Sequence, residues 1–316
     1  MSGFLTRRIL QVIPTLLIVS IIVFFVTRML PGNPAAVMLG PQANAEDIAR
    51  LTAELGLDKS IPVQFLQFLK DLVTFNFGES LTYHEPVISL ILERFPNTMI
   101  LAMSALILAV VIGVPLGIFA AYKQNSVIDY LITTFSLVGV SMPIFWLGVM
   151  LVLLFSVNLG WLPATGMGDF SSDPVGFFKH LILPSIALST IPMAEFARII
   201  RSSMLEVFSQ DYIKAAKAKG ISQFVVIFKH AFKNALTPLL TVLGLQFSNL
   251  LGGAVLTETI FSWPGMGLLI VDAIEKRDFI VVQNTVVFIA LIYVTINLIV
   301  DILYKVVNPK INLGEK

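Results

Sequence analysis

Few residues in this chain could do covalent chemistry. There is no cysteine, which removes disulfides, thiolate metal sites and cysteine nucleophiles. The histidines, His84, His180 and His230, are scattered. None belongs to a His-Glu-x-x-His pair, and a nickel route through His84 and His180 has only two separated ligands to rest on. Gly139-Val140-Ser141 is followed by Met142 rather than glycine, and no uncharged run holds a histidine to serve as base for a serine nucleophile. No Gly-rich loop ends in Gly-Lys-Ser/Thr, so the chain has no phosphate cradle of that kind. Leu162-Pro163-Ala164-Thr165-Gly166 spells a sortase signal, but it lies mid-chain between apolar runs.

The remaining polar groups suit binding rather than catalysis. Asp211-Tyr212-Ile213-Lys214-Ala215-Ala216-Lys217-Ala218-Lys219-Gly220 is a polar island in an apolar chain. It reads as a short helix over Tyr212 to Lys219, with Asp211 as N-cap and Gly220 just past the C-terminus, where positive φ is needed. Lys217 and Lys219 fall in the last turn, where cations favour the helix dipole. A lone helix this short is marginal in water and must be held by packing. Ala215, Ala216 and Ala218 would let another backbone approach, although a solvated loop helix has the same spacing.

Elsewhere, Glu258 ends an apolar run. An ionisable group there either faces a cavity or partner or lies in the interface. Ser141, Gln246 and Asn249 are candidates to line a pathway; polar residues such as Gln246, Ser248 and Asn249 also join helices. Glu195 and Arg198, three apart, are placed to pair on one helix face. Gly252-Gly253 suits close helix packing.

These residues are set in 316 residues of which 56% are apolar and 13% charged, with a mean hydropathy of +0.87. A soluble domain carries about 25% charged residues, so the chain is an integral membrane protein. A net charge of +1 gives no reason to expect nucleic acid.

Charge-free runs place the spans, because a helix needs ~20 mostly apolar residues to cross the hydrocarbon. They are Ile9–Thr27, Phe95–Tyr122, a span near 130–157, Leu181–Ala194, Asn234–Thr257 and Phe279–Val300. The first is longer than a signal-peptide core and reads as a retained helix. The fourth is the weakest, with 14 uncharged residues and with Pro184 and Pro192 inside it. Gly139, Pro143, Gly160 and Pro163 can break or end the third run. Trp161 and the turn Phe261-Ser262-Trp263-Pro264-Gly265-Met266-Gly267 suit a membrane interface.

Three regions follow. Residues 1–30 hold the N-terminus and first span. Residues 31–94 form an extracytoplasmic cap with helices over Glu46–Leu57 and Pro62–Phe75. Residues 95–316 form a five-helix core with a polar loop at 198–233. The ends and loops on the first side carry 13 Lys/Arg, against 3 in the two short opposite loops. Basic residues favour the cytoplasm, so both termini and the 211–220 helix are expected there.

With that helix placed in the cytoplasmic loop before the fifth span, the chain resembles the permease subunits of ABC importers, in their dipeptide, oligopeptide, glutathione and nickel subfamily. Ala215, Ala216 and Gly220 match the family's docking pattern. Lys214 stands where the pattern has Glu, and the pattern's Ile-x-Leu-Pro falls out of register near Pro238. The resemblance runs almost end to end, through Leu30-Pro31-Gly32-Asn33-Pro34, Leu55-Gly56-Leu57-Asp58, Phe77-Gly78-Glu79-Ser80, Ser141-Met142-Pro143-Ile144-Phe145-Trp146, Arg201-Ser202-Ser203-Met204 and Glu258-Thr259-Ile260-Phe261-Ser262-Trp263-Pro264-Gly265. It implies an all-α type I permease fold with six spans in a bacterial inner membrane. It also implies a second, similar permease, two ATPase subunits that bind ATP and Mg, and an external substrate-binding protein. Asp211, Tyr212, Ala215, Ala216, Lys217, Lys219 and Gly220 would dock an ATPase, and this chain would hold no cofactor of its own.

Two other classes are weaker. A secondary transporter would place ionisable residues near the midplane and show an internal repeat; Glu195, Glu258 and Asp301 fall near span ends and no repeat is evident. A membrane-embedded enzyme lacks its motif.

Overall fold

A computed structural model describes residues 2–29, 34–40, 42–54 and 56–307. Leu30 to Asn33 of the first resemblance motif, Leu55, and the tail lysines Lys310 and Lys316 lie outside the described residues.

Among the described residues the regular structure is all helix, apart from one isolated bridge between Glu79 and Pro86. In order the helices are α1 (Ser2–Met29), α2 (Pro34–Leu39), α3 (Ala45–Glu54), α4 (Ile61–Val73), α5 (Val87–Tyr122), α6 (Val127–Ser141) and α7 (Ile144–Leu151). A π-helical turn, Val152–Asn158, continues α7. Then come α8 (Pro174–Ser209), α9 (Asp211–Ala218), α10 (Gln223–Val225), a second π-helical turn over Val226–Ala231, α11 (Phe232–Ile260), α12 (Met266–Glu275) and α13 (Phe279–Val307). Five of these are long and apolar enough to cross a membrane, and α6 with α7 makes a sixth if the bent pair is one span.

That pair departs from the single span expected near 130–157. The two helices meet at 104°. Met142 is extended, with φ −77° and ψ 129°, because the ring of Pro143 disfavours helical geometry in the residue before it. Pro184 and Pro192, by contrast, lie within a continuous 36-residue α8. Proline is tolerated inside membrane helices where neighbouring groups take over the freed backbone.

The chain forms two compact units, with α5 and α13 contributing to both. The first contains residues up to Thr98 and Pro264–Leu298. Here Phe24 of α1, fully buried, meets Phe65 and Phe68 of α4 at 5.2 and 5.7 Å between ring centres. Phe77, Val87, Ile91, Met266, Leu269, Ala273 and Val281 form one buried cluster. Asp278, fully buried, accepts bonds from Ser80 Oγ at 2.5 Å and from the Thr82 N–H at 3.0 Å, and its other oxygen caps α13 at the Val281 N–H, 3.3 Å away. Asn284 Nδ2 donates to Phe77 O at 2.9 Å. Much of the 31–94 segment is thus tied to membrane helices by side chains remote in sequence.

The second unit contains Met99–Trp263 and residues from Ile299, with α8 packed against α6, α7 and α11. Small residues let α5 approach α8: a Cβ at Gly113 or Gly117 would come within 2.5 Å of the carbonyl oxygens of Met193 or Ala197. Gly252-Gly253 does not do this, since a Cβ at Gly252 would meet nothing within 4 Å and one at Gly253 would make ordinary contact with Leu188. Trp263, placed at an interface by the sequence, is fully buried beside Phe177. Its indole fills the interior, whereas Trp161 is 65% exposed.

Candidate functional site

The polar island forms α9, which packs on α8 and on the second π-helical turn. Its order comes from a small number of contacts. Ile213 is fully buried and is the apolar anchor of the helix. Tyr212 Oη accepts a bond from Asn234 Nδ2 at 2.8 Å, and Lys217 Nζ lies 5.6 Å from the centre of the Phe208 ring on α8.

The C-terminus is closed by backbone alone. Gly220 has φ +74°, its N–H donates to Lys217 O at 3.0 Å, and the Ile221 N–H donates to Ala216 O at 3.3 Å. This is a Schellman motif, which satisfies carbonyls that a helix end otherwise leaves free. The N-terminus differs from the sequence expectation. Gln210 occupies the cap position without a side-chain bond, and Asp211 is the first helical residue. Its carboxylate pairs with Lys214 Nζ at 2.9 Å rather than with a backbone N–H. It still places negative charge at the positive end of the dipole.

With Ile213 turned inward, Lys214, Ala215, Lys217, Ala218 and Lys219 are exposed and Ala216 is half-buried. The face left open is therefore small-residue and cationic. Two aromatics beside it escaped the sequence reading: Phe224 and Phe228, 70% and 46% exposed, with ring centres 4.6 Å apart. Their spacing of four residues was the available signal.

Further along α8, Arg201 grips Asp129 at the start of α6 with Nε–Oδ1 2.6 Å and Nη2–Oδ2 2.8 Å. Asp129 is 2% exposed and also accepts the Asn125 N–H at 3.0 Å. Such a two-pronged pair fixes orientation as well as distance. No sequence spacing signals it, because the partners are 72 residues apart.

The candidate pathway residues are not gathered together. Ser141 is exposed, and its hydroxyl donates back to Leu137 O at 2.8 Å. Asn249 is exposed, Gln246 is buried, and Glu258 is fully buried near the end of α11. Gln246 Nε2 donates to Glu195 Oε2. The expected Glu195–Arg198 pair is replaced by this bond, and Arg198 stays exposed. A neutral amide from a neighbouring helix meets the carboxylate without burying a second charge. Among the described residues no group of three or more His, Asp or Glu could hold a metal.

Comparison with known proteins places this arrangement. Residues 1–102 match the N-terminal family of binding-protein-dependent transport system membrane components, and residues 113–313 match the family described as binding-protein-dependent transport system inner membrane component. The chain is 48% identical to the dipeptide transport system permease protein DppB of Alkalihalophilus pseudofirmus, over 98% of this chain and 99% of that protein. It is 45% identical to the di/tripeptide transport system permease protein DppB of Pseudomonas aeruginosa and 41% identical to the glutathione transport system permease protein GsiC of Salmonella paratyphi A, each over 98% of this chain and 99% of the relative. A subunit of the MetNI methionine ABC transporter in an inward-facing conformation shares the fold, with a TM-score of 0.59 and 17% identity, over 71% of this chain and 99% of that one. The chain belongs to the binding-protein-dependent transport system inner membrane component family, the membrane permease subunits of ABC transporters rather than enzymes.

Proposed function

We propose that this chain forms half of the translocation pathway of an ATP-driven importer of short peptides and couples to ATPase subunits through α9. The observation that carries the coupling role is the state of α9: closed at its C-terminus by backbone, anchored by the buried Ile213 and the Tyr212–Asn234 bond, and exposed along Ala215, Ala218 and its lysines. A helix held this way transmits a push without needing further order of its own. Ala215, Ala216 and Ala218 seat in a groove of an ATPase, Lys217 and Lys219 meet acidic or polar groups at its rim, and Asp211 and Tyr212 fix the entry turn. Closure of the ATPases on ATP displaces α9, and its contacts with α8 and the start of α11 carry the movement into the spans. This gives a two-state element biased by a ligand bound elsewhere, as coupling between sites requires.

The same reading assigns a second, similar permease, two ATPase subunits and an external binding protein as partners. It puts both termini and α9 on the cytoplasmic side of a bacterial inner membrane. Ser141 and Asn249, exposed on the chain alone, are assigned to the pathway wall, and the buried Gln246 and Glu258 to its support. Peptide cargo is supported by the names of the relatives, which cover the chain from end to end.

The test is co-purification of the tagged chain from mild detergent. Recovery of a second permease and ATPase subunits is expected, with the ATPases lost when Ala215, Ala216 and Gly220 are replaced together. Recovery of the chain alone, with transport intact after reconstitution, would overturn the reading in favour of a self-sufficient transporter.

A further inference from the structure

In the second unit, α6 lies along α8, yet Asp129 is the one residue of its 15 that is buried. α8, by contrast, buries side chains from Phe177 to Met204. The group that this apolar helix puts inside is therefore a carboxylate, and what meets it is the two-pronged guanidinium of Arg201. The same carboxylate accepts the Asn125 N–H at 3.0 Å and Thr133 Oγ1 at 3.5 Å, and the Asp129 N–H donates to Ser126 Oγ at 3.4 Å. The pair thus ties the entry turn and the first turns of α6 to α8. Parting it would strand a buried charge, which costs far more than breaking an exposed pair. The link is kept through a movement of either helix.

Beyond that link, α6 has room to follow α8. A cavity of about 420 Å³ is bounded by α6, by Leu116 of α5, by Leu147 of α7 and by Ile186 and Thr190 of α8. Close packing resists displacement, whereas a void of this size leaves side chains somewhere to go. The far end of α6 is the extended Met142, where the chain turns through 104° into α7, so α6 can pivot there without dragging α7 as one rod. On the other side, α8 runs unbroken from Arg201 to Ser209, ~12 Å along its axis. Gln210 alone separates it from α9, which packs on it.

We propose that Asp129 and Arg201 are a positioning pair for transport, the link through which movement of α9 reaches α6. The end of α8 carries the movement to Arg201. The two-pronged bond fixes orientation as well as distance, so α6 turns with α8 and displaces Ser141 at its far end. The proposal rests on the coupling role of α9 and names the route from it to one helix of the pathway wall.

The test uses the transporter assembled with its ATPases and binding protein in liposomes, with alanyl-alanine as the peptide. Its readout is peptide taken up per ATP hydrolysed, which lost stability alone does not change. Arg201→Lys keeps the charge but not the fork, and Asp129→Asn keeps the shape but not the charge. Each should retain the ATPases and lower the ratio about fivefold or more, the low end of coupling between sites. Lys123→Gln, an exposed charge beside the same turn, should leave it unchanged. An unchanged ratio in Arg201→Lys and Asp129→Asn, with only a lowered melting temperature, would overturn the link. A second measurement leaves the pair intact. The chain has no cysteine, so spin labels can be placed at Phe119→Cys on α5 and Phe135→Cys on α6, both exposed positions. Their separation should change when a non-hydrolysable ATP analogue binds the ATPases, and a fixed separation would overturn the link. If the link fails while replacing Ala215, Ala216 and Gly220 together still uncouples uptake, the route alone is wrong. If that triple replacement also leaves uptake and the ATPases in place, the coupling role of α9 is wrong.

Discussion

Two short helices between spans, α9 and α12, are held in opposite ways. α12 buries Met266, Gly267, Leu269 and Ala273. Its entry is bonded on both sides, by the Met266 N–H to Thr98 Oγ1 at 2.9 Å and by Asn97 Nδ2 to Pro264 O at 2.8 Å. Its exit is fixed by Asp278. α9, of similar length, buries Ile213 alone, holds α11 through the Tyr212–Asn234 bond and α8 through Lys217 over Phe208, and has its C-terminus closed by its own backbone. One helix has spent its surface on its own unit; the other keeps its surface free and stays ordered by the least contact that suffices. Burial therefore separates a structural helix from one available to a partner, where length and amphipathicity do not.

Breaking α12 should cost most. Leu269→Ala, at a buried position, should destabilise the chain by about 2–5 kcal/mol, seen as a lowered melting temperature even without partners. If Lys217→Ala lowers the melting temperature as much, the contrast between the helices fails, since exposed substitutions fall within about 0.5 kcal/mol. Ile213→Ala removes the anchor of α9 at a similar local cost of about 2–5 kcal/mol, but confined to a helix that can detach alone. Protease cleavage within 211–220 and loss of co-purifying ATPases should appear while the global melt moves little.

Gly220 comes next. Open space surrounds it, so the strain of a substitution is purely conformational. Gly220→Val should cost about 1–2 kcal/mol and impair ATP-driven uptake, whereas Gly220→Asn, which tolerates positive φ, should retain it. Equal uptake in both would mean that the cap geometry does not matter.

The smallest effect belongs to Lys276, just past α12. It donates to Tyr83 Oη at 3.1 Å, and this bond holds its pKa above the ordinary lysine value. A raised folded pKa contributes stability that is fully present below the unfolded value and lost as pH rises through the folded one. Melting curves should therefore be insensitive to this group near neutrality and fall slightly on the alkaline side of the ordinary lysine pKa. Lys276→Met should flatten that alkaline fall.

The spans α1, α5, α11 and α13 were legible from charge-free runs, because hydrocarbon excludes charge whatever the packing. The fourth was the faintest of the runs, yet α8 is the most enclosed of the five long candidates, with 44% of its apolar window buried. A helix shielded by its neighbours does not need a lipid-like surface, so the signal that finds spans is weakest where tertiary contact is greatest. The turn at Met142-Pro143 was visible as a break but not as an angle. A proline removes one backbone donor, and the surrounding contacts decide whether the helix bends, as at Pro143, or continues, as at Pro184 and Pro192.

The sequence by itself determined the membrane character, the number and order of apolar runs, and the existence of a glycine-terminated helix at 211–220. Each depends on residue type and short spacing, which act locally. Only the tertiary structure decided that Asp211 pairs with Lys214 instead of capping, that Glu195 meets Gln246 instead of Arg198, that Trp263 is internal, and that Arg201 clasps Asp129. Those outcomes depend on which groups arrive from distant parts of the chain. A buried polar atom is satisfied by whichever partner the packing brings within reach.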